Sequence, residues 1–184
     1  MADKKAILVI GKDLNLASGG EALDKLNKKA ALLVKADAAN LAAQAEALGA
    51  VRTDPQGLAA ALEKAPFALC EGGADVVAAA LEAANRRTLV VVAANDGVAF
   101  YGLAINAKAG HVERVVNAAD IALTIATIVD LPIAADCTAG IIYQVLKDPN
   151  LKLNEMIKLQ EALARMESVI ERNNREPWDK HDCA

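Results

Sequence analysis

Short, uninterrupted apolar runs alternate along this chain with stretches whose apolar residues recur at helical spacing, and that alternation is its strongest constraint. The clearest run is Thr88-Leu-Val-Val-Val-Ala93, six residues without a charge. A strand solvated on one face alternates apolar and polar residues, whereas a strand covered on both faces keeps few polar positions. Runs of the second kind, linked by helical stretches, predict strands joined by crossover helices. The expected fold is α/β: three-layer αβα with a mostly parallel sheet.

Taken in order, Ala6 to Ile10 forms a strand, followed by a loop carrying Gly11, Ser18, Gly19 and Gly20. A helix near Glu21 to Lys29 turns Ala22, Leu23 and Leu26 inward. Ala31 to Val34 is the second strand, and Ala38 to Leu48 the second helix. Asp54-Pro55 opens a helix over Gln56 to Lys64 as a cap and first-turn pair, and Pro66 ends it. Phe67 to Cys70 is a short strand, Ala74 to Asn85 an Ala-rich helix, and Val98 to Ile105 a further strand after the Thr88 run. Asp120 to Val129 has helical spacing through Ile121, Ile125 and Ile128, and its β-branched residues require packing to hold the helix.

Asp148-Pro149 caps a final helix reaching Asn173. Along it Met156, Leu159, Leu163, Met166 and Ile170 recur at spacings of three and four, about two heptads, short of the three or four that by themselves argue for a coiled coil. Such a stripe fits a helix packed on its own domain or a contact between two copies, a homodimer. The chain thus divides into an α/β domain over 1–149, the helix over 150–173, and a polar tail over 174–184 expected to be flexible.

With 54% hydrophobic residues in 184, the chain can bury a proper core. Only 3% of residues are aromatic, the net charge is −4, and no basic cluster exceeds a pair, so nucleic acid is not an expected partner. Charged or amide residues interrupt every Ala-rich run, so no membrane span is expected. The first apolar run breaks at Gly11 and Lys12, unlike a signal segment. Cys70, Cys137 and Cys183 are odd in number and widely spaced, which suits a reducing cytoplasm better than a disulfide framework.

In an open parallel sheet, ligands bind beyond the carboxyl ends of the strands. Three groups fall there: Gly11, Lys12 and Asp13; Glu71, Gly72 and Gly73; and Asn95, Asp96 and Gly97. Carboxylates from several strand ends can converge on one cation, although the same residue types also form plain turns. Glu71, Gly72 and Gly73, ahead of a helix, could seat a small anion or a nucleotide phosphate. Cys70 stands where a helix N-terminus could activate a thiol, or where a buried thiol is simply structural. His181, Asp182 and Cys183 offer too few ligands for a closed zinc site.

The stretch Thr88-Leu-Val-Val-Val-Ala-Ala-Asn-Asp-Gly97 resembles the strand of the alkaline phosphatase-like metalloenzyme superfamily that ends in Thr-Ala-Asp-His-Gly. Val116-Asn-Ala-Ala-Asp-Ile-Ala-Leu-Thr-Ile-Ala-Thr-Ile-Val-Asp-Leu-Pro-Ile-Ala-Ala-Asp136 is similar to that superfamily's Asp-Ile-Ala-Pro-Thr-Ile and Leu-Pro segment, followed by an aliphatic helix, here Gly140 to Leu146. The likeness covers residues 88–147, with a fainter echo in Leu23-Asp-Lys-Leu26. It implies an alkaline phosphatase-like core and, for an active member, zinc, manganese or magnesium serving a phosphatase, sulfatase, phosphodiesterase or phosphomutase. It would place metal ligands at Asn95 and Asp96, with Asp13 nearby.

The departures fall on the chemistry. Asn95 stands at the position of the ligand Asp and Asp96 at that of the ligand His. The nucleophile position has no match beyond Ser18, and His111 sits in a segment resembling a turn. The leading expectation is therefore a degenerate, non-catalytic domain acting in binding or assembly. The alternatives are a metal-dependent phosphoester hydrolase or phosphomutase using Asp13, Asp96 and either Glu71 or His111, and a nucleotide or small-anion binder at Gly72-Gly73.

Overall fold

The computed structural model describes residues 4–18 and 20–173; Gly19 and residues 174–184, with His181, Asp182 and Cys183, lie outside the described residues. The described residues divide into two compact units, one ending at Pro149 and the other beginning at Asn150.

The first unit is built on a seven-stranded sheet. Its strands are β1 (Lys5–Gly11), β2 (Ala31–Leu33), β3 (Val51–Arg52), β4 (Phe67–Gly72), β5 (Thr88–Ala94), β6 (Gly97–Gly102) and β7 (His111–Val112), in the spatial order β3-β4-β1-β5-β6-β2-β7. β6 alone runs against the others, because it returns from β5 through a tight hairpin. The sheet is therefore mixed and mostly parallel.

Side-chain alternation explains the unbroken apolar runs. Along β1, Ala6 and Leu8 enter one core while Ile7 and Val9 enter the other, and β5 divides in the same way between Leu89, Val91 and Ala93 and Val90 and Val92. The first core is closed by α2 (Leu41–Ala47) and α5 (Ala118–Val129), the second by α1 (Glu21–Asn27), α3 (Leu58–Lys64) and α4 (Ala74–Ala83). With helices on both faces, Ala6 to Val9 of β1 and Leu89 to Val92 of β5 lose all contact with water, while Ile10 and Ala94 at the strand ends stay partly accessible. Each fully buried Leu or Val contributes roughly 1.5–3 kcal/mol.

Several elements differ from the sequence expectation for local reasons. The 38–48 helix is only Leu41–Ala47, since Asn40 adopts a left-handed conformation at its start. The 56–64 helix begins at Leu58, because the Asp54 carboxylate first accepts the Gly57 amide at 2.5 Å and closes a separate turn. The Ala74 helix stops at Ala83, where Ala84 becomes extended. α5 starts earlier than expected, at Ala118, through a reciprocal capping box between Asn117 and Asp120.

Gly140 to Leu146, expected as an aliphatic helix, contains only a 3₁₀ turn over Tyr143–Val145. Ile142 and Val145 are both fully buried, an i, i+3 pair that a single turn satisfies. Tertiary bonds take the backbone groups that a helix would have used: Ile142 N–H donates to Thr124 Oγ1 at 2.9 Å, and Asn106 N–H to the Val145 carbonyl at 2.9 Å. Arg114 secures the outside, donating to the Ile141 carbonyl at 2.9 Å and standing over the Tyr143 ring.

The second unit is described over α6 (Leu151–Asn173), a continuous 23-residue helix. No helix among the described residues is long and apolar enough to cross a membrane.

Candidate functional site

The carboxyl ends of β1, β3, β4 and β5 share one edge of the sheet, so the three expected loop groups do meet on one side of the molecule. At that edge the side chains bind mainly to one another. Glu71, at the end of β4, receives Lys12 Nζ at 2.9 Å and the Arg52 guanidinium, and Arg52 in turn holds Glu46 at 2.8 Å. The result is a row of alternating charge, Lys12, Glu71, Arg52, Glu46. The hydrogen bond from Lys12, followed by that from Arg52, holds the Glu71 carboxyl below its ordinary range. The hydrogen bond to Glu46, and then that to Glu71, raises Arg52.

Asn95 and Asp96 form the two-residue turn of the β5–β6 hairpin, which closes on the Ala94–Gly97 pair. The Asp96 carboxylate accepts the amides of Leu16 at 2.7 Å and Ala17 at 3.1 Å, and the Asn95 amide donates to the Leu14 carbonyl at 2.9 Å. The hairpin thereby pins the loop after β1, whose Leu14 and Leu16 are buried in the core. Glycine at 97 is required by this packing: its φ is +148° and a Cβ there would lie 2.5 Å from the Leu33 carbonyl oxygen.

The metal expectation does not fit these residues. Among the described residues no three His, Cys, Asp or Glu side chains gather as a metal site, so neither Glu71 nor His111 joins Asp13 and Asp96. Both Asp96 oxygens already accept backbone amides, and Asn95 offers only a neutral amide. His111 lies in the two-residue strand β7, paired with Leu32, and lines a cleft of about 290 Å³ together with Leu16, Asn27, Val34 and Asp96. Sequence reasoning missed Asn27, whose Nδ2 donates to the Leu16 carbonyl at 2.7 Å while its buried Oδ1 has no hydrogen-bond partner among the described residues.

Packing also accounts for Gly72 and Cys70. A Cβ on Gly72 would overlap the Val76 side chain, so this glycine lets α4 close onto β4. Gly73 precedes the first turn of α4, where Asp75 places a carboxylate. The Cys70 thiol is fully buried, and burial, aided by the charge of Asp54, pushes its pKa up to about 11. Burial thus favours the neutral thiol over the reactive thiolate at this position. Ser18 is exposed, its amide donating to the Asn15 carbonyl at 3.3 Å.

On α6 the apolar side chains are exposed. Leu153, Met156, Ile157, Leu159, Leu163, Met166, Val169 and Ile170 are each 43–66% accessible. Of these, Met156, Leu159, Leu163, Met166 and Ile170 fall within an arc of about 80° at 3.6 residues per turn. Leu153, Ile157 and Val169 lie about 60–100° outside that arc.

No protein-family model, curated protein or solved structure matches the chain.

Proposed function

We propose that this chain is a non-catalytic, alkaline phosphatase-like domain acting in assembly, self-associating through α6. The observation that carries this reading is the α6 seam: five large apolar side chains in one narrow arc, each more than half exposed. Contiguous exposed apolar surface of this kind marks an association site. The five seam residues present on the order of 550 Å², below the roughly 800 Å² that each partner buries in a standard-size interface, so the contact draws on flanking side chains as well. The non-catalytic half of the reading is supported by Asp96, whose carboxylate is spent on holding a loop.

Sedimentation velocity over a wide concentration range, beside a phosphoester assay with added zinc, manganese or magnesium, tests both halves. The expected result is a concentration-dependent dimer without turnover. A monomer at every concentration would overturn the assembly role; turnover that Asp96→Ala abolishes would overturn the non-catalytic one.

A second reading, small-anion or nucleotide binding at Glu71, Gly72 and Gly73, draws support from the two cations flanking Glu71. An anion there would take over Lys12 and Arg52. Saturation at about 100 Kd would raise stability by about 2.7 kcal/mol, readable as a thermal shift with phosphate or a nucleotide.

A further inference from the structure

We infer that α6 pairs with α6 of a second copy in a two-stranded, parallel, in-register coiled coil, an inference that rests on the assembly reading and gives it a geometry. The seam supplies positions a and d: Met156, Leu163 and Ile170 at a, Leu159 and Met166 at d. Parallel pairing in register sets each residue against its own copy and yields five wholly apolar layers over about 21 Å.

Antiparallel pairing sets a against d and does worse in every register. Placing Leu159 opposite Leu163 brings Ile170 against Lys152; placing Leu163 opposite Met166 brings Met156 against Asn173. At most four apolar layers then form, flanked by two that set an apolar residue against a polar one, whereas the parallel register keeps five and confines polar residues to the end layers at Lys152 and Asn173. A second copy also suits the charge of the helix, which carries four basic residues (Lys152, Lys158, Arg165, Arg172) and four acidic ones (Glu155, Glu161, Glu167, Glu171). Two copies do not repel through net charge, and no charged residue takes an a or d position between Met156 and Ile170, although Lys152, one heptad before Leu159, would face its own copy at the start of the seam. Gln160 and Glu167 border it at two e positions, while Leu153 at e and Ala162 and Val169 at g leave part of the flank apolar, so sedimentation decides the number of strands.

The test uses the full chain with Cys137→Ser and Cys183→Ser, carrying either Ile170→Cys or, as a control on the opposite helix face, Ser168→Cys. Each variant is oxidised in a glutathione buffer and sedimented in parallel. A disulfide needs Cα atoms within about 7 Å, so parallel register predicts dimer crosslinking of Ile170→Cys roughly tenfold faster than of Ser168→Cys. A dimer that does not crosslink at residue 170, or a higher oligomer, would overturn the parallel two-stranded arrangement and leave assembly standing. A chain monomeric with and without these substitutions would overturn both.

Discussion

The carboxyl edge of the sheet and helix α6 differ in where their side chains find partners. At the edge, Glu71 is held by Lys12 and Arg52, and Asp96 by the amides of Leu16 and Ala17. On α6, apolar residues that would be core elsewhere stand exposed. An enzyme is expected to show the reverse: under-satisfied polar groups where strands end, and helices whose apolar faces are covered. The difference teaches that residue types typical of a catalytic edge can be engaged in internal support, while an amphipathic helix keeps its apolar side chains accessible.

The largest expected effect breaks the comparison from the helix side. Replacing Leu163 and Met166 together by Glu places carboxylates in the seam and should weaken self-association at least roughly a hundredfold. Sedimentation velocity would show monomer, with the melting of the α/β unit unchanged. A lowered melting midpoint would instead assign the stripe to the core of the chain's own domain.

A middle-sized effect tests whether Asp96 is internal support. Asp96→Ala removes the acceptor of two backbone amides, one of them partly buried, and should cost about 1–2 kcal/mol of stability in a denaturant titration. Asp96→Asn, which keeps one carbonyl oxygen, should recover part of that loss. Unchanged stability in both variants would mean that the carboxylate is free for other work.

The smallest effect sharpens the comparison through pH. Because the folded pKa of Glu71 is depressed, its contribution is present above the unfolded carboxylate pKa and is lost as pH falls through the folded value. The stability difference between the parent chain and Glu71→Gln should therefore be small near neutrality and vanish in acid. These charges are largely solvated, so added salt should shrink the difference as well. A gap that widened in acid would contradict the pairing.

Much of the fold was legible because burial on both faces leaves a local mark. β1 and β5 stand out as apolar runs, whereas the Asn117–Asp120 box, a local signal three residues apart that apolar spacing passes over, sets the start of α5 at Ala118 rather than Asp120. The two-residue strands β3 and β7 leave no such mark, since β4 and β2 define them by pairing. For Gly140 to Leu146 the sequence shows apolar spacing common to a helix and a single 3₁₀ turn, and the choice rests on Thr124 and Asn106, far along the chain. At the candidate site, Asp96 and Glu71 were legible as residues but their roles were not. The partners of Asp96 lie 79 and 80 residues away, and those of Glu71 come from other strand ends. No spacing rule reaches that distance.

The seven-stranded sheet ends on both sides in strands of only two residues, Val51–Arg52 and His111–Val112. A long open edge would be a template for indiscriminate strand addition and, at high concentration, for fibrils. Two-residue borders, one carrying Arg52 and the other His111, give an incoming strand almost nothing to register against. Growth by β-addition is thus blocked at both borders, so concentrated protein should resist thioflavin-positive aggregation as long as the sheet stays folded.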